Sequence, residues 1–137
     1  MTTDKTNPNA DDLFALVIRP DTNVAPERVP FKRERLLDVL YELIEDGERQ
    51  GVDATSAIPT PWGDVRAYVG GHSALVPDVP TNSLALAMVR AYGYHAPDLR
   101  GTVVIVGDVD PDGWNGSCPE GLAARAEEVS AIHRAHQ

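Results

Sequence analysis

The sequence predicts a single small α+β domain, with an N-terminal β-hairpin, a short mixed or antiparallel sheet and about three helices. Three observations carry this. Leu13 to Arg19 is an apolar, β-branched run closed by Pro20-Asp21-Thr22-Asn23. That is turn chemistry, since proline presets φ and Asp or Asn bonds its own backbone. Arg33 to Asp46 repeats leucine at three- and four-residue spacing, the period of a helix with one apolar stripe. Pro80-Thr81-Asn82 introduces the apolar run Leu84-Ala85-Leu86-Ala87-Met88-Val89, and Gly101-Thr102-Val103-Val104-Ile105-Val106-Gly107 follows it. A capped helix next to an apolar strand fixes the centre of the core.

The elements follow in order. Met1 to Asp12 is polar and aperiodic and is expected to be a disordered tail, leaving residues 13–137 as the domain. Val24 to Pro30 is a weaker second strand, and Pro26 assigns it to a sheet edge. In the first helix, Leu36, Leu37, Leu40, Leu43 and Ile44 form the stripe, Gly47 is the expected terminator, and Glu34, Asp38, Glu42 and Asp46 line the opposite face. Gln50 to Gly63 is irregular, with Pro59, Pro61 and Gly63 breaking any period. Asp64 to Val69 alternates as a third strand, Gly70-Gly71 is a turn or bulge, and His72 to Val76 is a short fourth strand. Thr81 or Asn82 caps the second helix, Ser83 to Tyr92, which is apolar nearly all round and therefore expected to be buried on most sides. Gly93 ends it, Leu99 to Val106 is a central strand, and Glu120 to His136 is a last helix burying Leu122, Ala126, Val129 and Ile132 or His133.

Composition narrows function. With 21 acidic against 12 basic residues the net charge is −9. Direct nucleic-acid binding is disfavoured, because affinity for phosphate comes from Lys and Arg displacing counterions. An acidic surface suits solubility, a basic partner or mimicry of nucleic acid. No stretch is long and apolar enough for a membrane span or a signal peptide, so a cytoplasmic protein without membrane association is expected. The single cysteine, Cys118, precludes an internal disulfide.

The order of elements resembles an uncharacterised family, the domain of unknown function 3846. The resemblance rests on Ala15-Leu16-Val17-Ile18-Arg19-Pro20-Asp21, Pro80-Thr81-Asn82-Ser83-Leu84-Ala85-Leu86-Ala87, the Gly101–Gly107 strand with its Asp/Gly loop, and Pro119-Glu120-Gly121-Leu122. It covers residue 13 to about residue 123, while the stretch from Gly47 to Asp64 is longer than the family's usual link. The resemblance implies a phage, plasmid or actinobacterial setting and carries over no catalytic residue.

Three constellations could carry chemistry. Asp108-x-Asp110-x-Asp112-Gly113 opens like a calcium loop, with alternate carboxylates able to converge on calcium or magnesium. The twelfth position is Pro119 rather than a bidentate Glu, so any such binding is expected to be weak. His133 and His136 share a helix face and with Cys118 would still be one ligand short of a structural zinc site. Trp62, Gly70, Gly71, His72 and Asn82 could cradle a small ligand, with bare glycine backbone beside aromatic rings and the free N–H groups of a helix start. No phosphate loop, nucleophile elbow or zinc-protease motif is present.

The leading expectation is a non-enzymatic accessory or binding protein that contacts a host protein or captures a small ligand. A small metal-dependent hydrolase or nucleotide-processing enzyme using the Asp108–Asp112 loop is the first alternative, although no His or Glu stands close to that loop as a general base. An acidic, nucleic-acid-mimicking inhibitor is the second.

Overall fold

The computed structural model describes residues 13–44, 51–71, 79–95 and 98–135. The expected tail 1–12, the helix terminator Gly47, the strand at 72–76 and residue His136 lie outside the described residues. Within them the chain forms a five-stranded antiparallel sheet with helices on both faces. The strands are β1 (Leu13–Ile18), β2 (Glu27–Phe31), β3 (Val52–Ala54), β4 (Val65–Gly70) and β5 (Val103–Gly107), in the order β2-β1-β5-β4-β3. The helices are α1 (Leu36–Leu43), led in by a 3-10 turn at Arg33–Arg35, α2 (Ser83–Ala91) and α3 (Glu120–Ala135).

β1 and β5 are apolar at successive positions because both of their faces are covered. Leu13, Ala15 and Val17 with Val104 and Val106 face α1, while Leu16 and Ile18 with Val103 and Ile105 face α2 and α3. The pleat puts alternate residues on opposite sides, so a strand in the middle layer has no polar side. The hairpin forms as expected: Val17 pairs with Glu27 and Leu13 with Phe31, and Pro30 sits within an edge strand, where a missing N–H is tolerated.

The link from β2 to β3 connects the two edges of the sheet, so it must cross the whole face. α1 lies on that crossing and packs over a cluster to which every strand contributes. Its apolar stripe is narrower than expected. Leu36, Leu40 and Ile44 are buried, but Leu37 is 52% exposed. The helix also stops at Leu43 rather than Asp46, because Ile44 turns to extended backbone (φ −95°, ψ 134°) and points into the same cluster.

Three further differences have clear causes. The irregular stretch contains β3, whose Val52 faces Gly70 and whose Asp53 faces Val69, and Ile58 bridges Val65 within the same stretch. This pairing is set by the partner strand, which local composition does not report. α2 buries Ala85, Met88 and Val89 but exposes Ser83, Ala87, Arg90 and Ala91, so it lies on the sheet with an open outer face rather than inside the core. In α3, Leu122, Ala123, Ala126 and Ser130 are buried, Val129 is half-buried and Ile132 is 54% exposed, because its last turns extend past the sheet cluster. Gly93 ends α2 at φ +89°, with its N–H donating to Arg90 and the Tyr94 N–H to Val89, which closes the helix by a Schellman motif.

Candidate functional site

The residues expected to form a cradle are not brought together. Trp62 precedes β4 and Gly70-Gly71 close it, so they occupy opposite ends of that strand. Trp62 is engaged with the protein: its ring meets Tyr92 edge-on at 6.2 Å and lies against Gly121, where a Cβ would collide with its Nε1. The space between Thr60, Tyr92 and the sheet is about 10 Å³, no more than a water requires. At the other end, the Gly71 N–H donates to Gly51 and continues the β3–β4 ladder. His72 lies outside the described residues.

Asn82 is a joint of the scaffold. It is fully buried, and its amide nitrogen donates to the carbonyls of Ile18 at 2.7 Å and Gly101 at 2.8 Å. Its side-chain oxygen accepts the Ala85 N–H at 3.1 Å. One side chain therefore caps α2, closes the end of β1 and holds the approach to β5, and nothing of it is left for a ligand.

The acidic loop is likewise occupied by its own fold. Asp108 is bound by the Arg66 guanidinium at 2.6 Å and accepts the Val109 N–H, and these two contacts hold its carboxyl below the usual carboxylate range. Asp110 accepts the N–H groups of Asp112 and Trp114, forming the turn itself. Among the described residues no three His, Cys, Asp or Glu side chains are gathered as a metal site requires. Cys118 is buried, which pushes its thiol up to about 12, so it is neither a nucleophile nor a ready metal ligand. His133 is exposed on α3 and does not meet it.

The structure contains instead a cleft that the sequence did not reveal. It has a volume of about 260 Å³ and lies between α2, α3 and the β1–β2 turn. The turn is held by the Asp21 carboxylate accepting the Asn23 N–H and by the Val24 N–H donating to the Asp21 carbonyl, and it brings Val24 to the lining. Leu84 and Ala87 of α2 and Val129 of α3 make the walls. Arg19, Asp21, Thr22, Ser83, Ser130 and His133 complete the lining.

Two of those polar groups stand out. Ser130 is only 3% exposed, yet among the described residues its hydroxyl has no hydrogen-bond partner. Buried polar groups nearly always have one. Arg19 has contacts only at the limit of hydrogen bonding: Leu43 carbonyl at 3.4 Å, Thr102 hydroxyl at 3.5 Å, and Glu27 carboxylate at 3.9 Å. Its side chain is 35% exposed, so water can serve the remaining donors, and the Leu43 contact turns the guanidinium toward α1, on the other face of the sheet. The register of α3 was the available signal for this site. Ser130 continues the buried series Leu122 and Ala126 at four-residue spacing, so a hydroxyl falls where the helix points inward.

The chain matches no family model, no curated protein and no solved structure. No helix among the described residues is long and apolar enough to cross a membrane.

Proposed function

We propose that this chain is a non-enzymatic binding domain whose cleft between α2, α3 and the β1–β2 turn captures a small, mostly apolar molecule. The observation that carries this is the unpartnered Ser130 hydroxyl, buried at the wall of an apolar cleft of about 260 Å³. Ligand sites are typically concave and apolar, with a few polar groups that fix orientation. The cleft lies just under the usual range for drug-sized ligands, about 300 Å³ and upward, so it suits a smaller molecule.

Other features favour capture over chemistry. The buried thiol is held protonated, the Asp108 carboxylate is bound to Arg66 and that of Asp110 to its own turn. The exposed acids of α1 and α3 lie on opposite sides of the sheet, which favours a cleft over a single acidic mimic surface. The resemblance to the 3846 family adds a phage or plasmid setting to this reading and assigns no ligand.

The test is amide chemical-shift mapping with hexan-1-ol and hexanoate at millimolar concentration. Shifts concentrated at Leu84, Ala87, Val129 and Ser130, and abolished when Ala87→Phe fills the cleft, are the expected result. Saturation of neither probe at those amides, in a protein whose spectrum shows it folded, would overturn the proposal.

A further inference from the structure

Resting on that reading, we infer that the ligand is uncharged and bears one oxygen, as an alcohol or a ketone does, and that this oxygen hydrogen-bonds the Ser130 hydroxyl. Of the residues that line the cleft, Ser130 is the one buried polar side chain. Asp21, Ser83 and His133 are exposed, so water can serve them. A serine inside a helix ordinarily donates to the carbonyl about four residues back. That position on α3 is Ala126, and among the described residues the Ser130 hydroxyl makes no such bond. Its proton is therefore left for the cleft, where an acceptor brought by the ligand offsets its desolvation.

The same lining argues against a charged head group. Arg19 lines the cleft, but its guanidinium donates to the Leu43 carbonyl on the α1 face of the sheet, away from α2 and α3. Asp21 is exposed, and its Oδ1 already accepts the Asn23 N–H of its own turn. His133, three residues beyond Ser130 on α3, is exposed as well. Among the lining residues no charged side chain is buried beside Ser130 to pair a carboxylate or an ammonium. Burying a charge without a partner costs far more than one hydrogen bond returns, and a neutral oxygen meets no such penalty. Val24, Leu84, Ala87 and Val129 offer only apolar side chains, so the rest of the molecule is hydrocarbon.

Hexan-1-ol, hexan-2-one and 1-chlorohexane are of similar size, but the first two bear an oxygen and the third bears chlorine, a much weaker acceptor. Titrating all three by amide shifts into wild type and Ser130→Ala separates the head group from the chain. Ser130→Ala is expected to weaken the alcohol and the ketone about three- to tenfold, the net worth of one hydrogen bond, and to leave 1-chlorohexane unchanged. Hexanoate is expected to bind wild type more weakly than hexan-1-ol. In the wild-type complex, nuclear Overhauser effects should join the C1 protons of hexan-1-ol, next to its oxygen, to the Ser130 β-protons. If the three probes change equally in Ser130→Ala, or none changes, the oxygen inference fails and the small-ligand reading stands. If hexanoate binds more tightly than hexan-1-ol, the ligand is not neutral. Contacts to Ser130 from the terminal methyl in place of C1 would overturn the assignment in wild type alone, whatever the fate of the variant. If none of the four probes binds the folded protein, both readings fail together.

Discussion

Asn82 and Ser130 are both polar, both buried and both part of the helical layer above the same face of the sheet, yet they have opposite surroundings. Every polar atom of the Asn82 side chain is engaged, in bonds of 2.7, 2.8 and 3.1 Å that join β1, α2 and the approach to β5. The Ser130 hydroxyl has no partner among the described residues and borders a cleft. Two arginines repeat the contrast. Arg28 reaches from edge strand β2 to α3, meeting Glu127 through two bonds of 3.0 and 2.9 Å and Glu120 through a third, while its guanidinium lies over Phe14. Arg19 is 35% exposed and has no polar contact closer than 3.4 Å among the described residues. Among buried polar groups, a saturated one marks the scaffold and an unsaturated one marks the place where something else belongs.

The largest expected effect comes from Asn82→Ala. It removes a helix cap and leaves the Ile18 and Gly101 carbonyls short of a donor, for a total cost of about 3–5 kcal/mol. Urea denaturation measures it. A cost under 1 kcal/mol would mean that water replaces the amide, and the contrast with Ser130 would break. Asn82→Asp sharpens the point: it keeps the cap oxygen but turns an acceptor toward two carbonyls, so it should not rescue the alanine variant.

Arg28→Met should cost less, about 1 kcal/mol, because the guanidinium is one-third exposed and solvent screens its pairs. The loss should appear first as weaker protection of β2 amides in hydrogen exchange, since Arg28 is the tie from that edge to α3. Arg19→Met should leave stability unchanged. Equal losses in the two variants would show that the long contacts of Arg19 are stronger than their distances suggest.

The difference between the two kinds of polar group also explains what the sequence could reveal. Apolar runs at 13–18 and 103–107, the capping signal at Asn82 and the turn at 20–23 are local patterns, and each names its element. The exposure of Leu37 and Ile132 was not legible, because periodicity gives the face of a helix but not how far the sheet beneath it extends. β3 was missed because three residues carry no period and are ordered by β4. The cleft was missed for a similar reason. Arg19, Leu84 and Ser130 lie on three elements separated by scores of residues, and the absence of a hydrogen bond leaves no mark in a sequence. The glycines and the tryptophan of the expected cradle share a neighbourhood in sequence that the strand between them pulls apart in space.

Acid titration tests the engaged carboxylates. The Arg100 guanidinium, at 2.6 Å, holds the Asp98 carboxyl below the usual range, as Arg66 does for Asp108. A carboxyl lowered in the folded state contributes stability that is fully present above its unfolded-state pKa, about 4, and is lost as pH falls through the lower folded value. Wild-type stability should therefore decline below about pH 4, and the decline should be shallower in the Asp98→Asn and Asp108→Asn variants. Identical slopes in all three proteins would show that these pairs form as readily in the unfolded chain.

The smallest effect, and the most discriminating, is expected from Ser130→Ala. A buried hydroxyl without a partner carries a desolvation cost of about 1–3 kcal/mol with no compensating bond. Alanine removes that group at nearly the same volume and is the best helix former. The variant should therefore be as stable as wild type or more so by up to about 1 kcal/mol. Hexan-1-ol binding should weaken severalfold in the same protein, because the hydroxyl that would hydrogen-bond its head group is gone. Gained stability with lost affinity is the signature of a group kept for a ligand rather than for the fold. A stability loss above 1 kcal/mol would show that the Ser130 hydroxyl has a structural partner after all, and Ser130 would then belong with Asn82 on the scaffold side of the comparison.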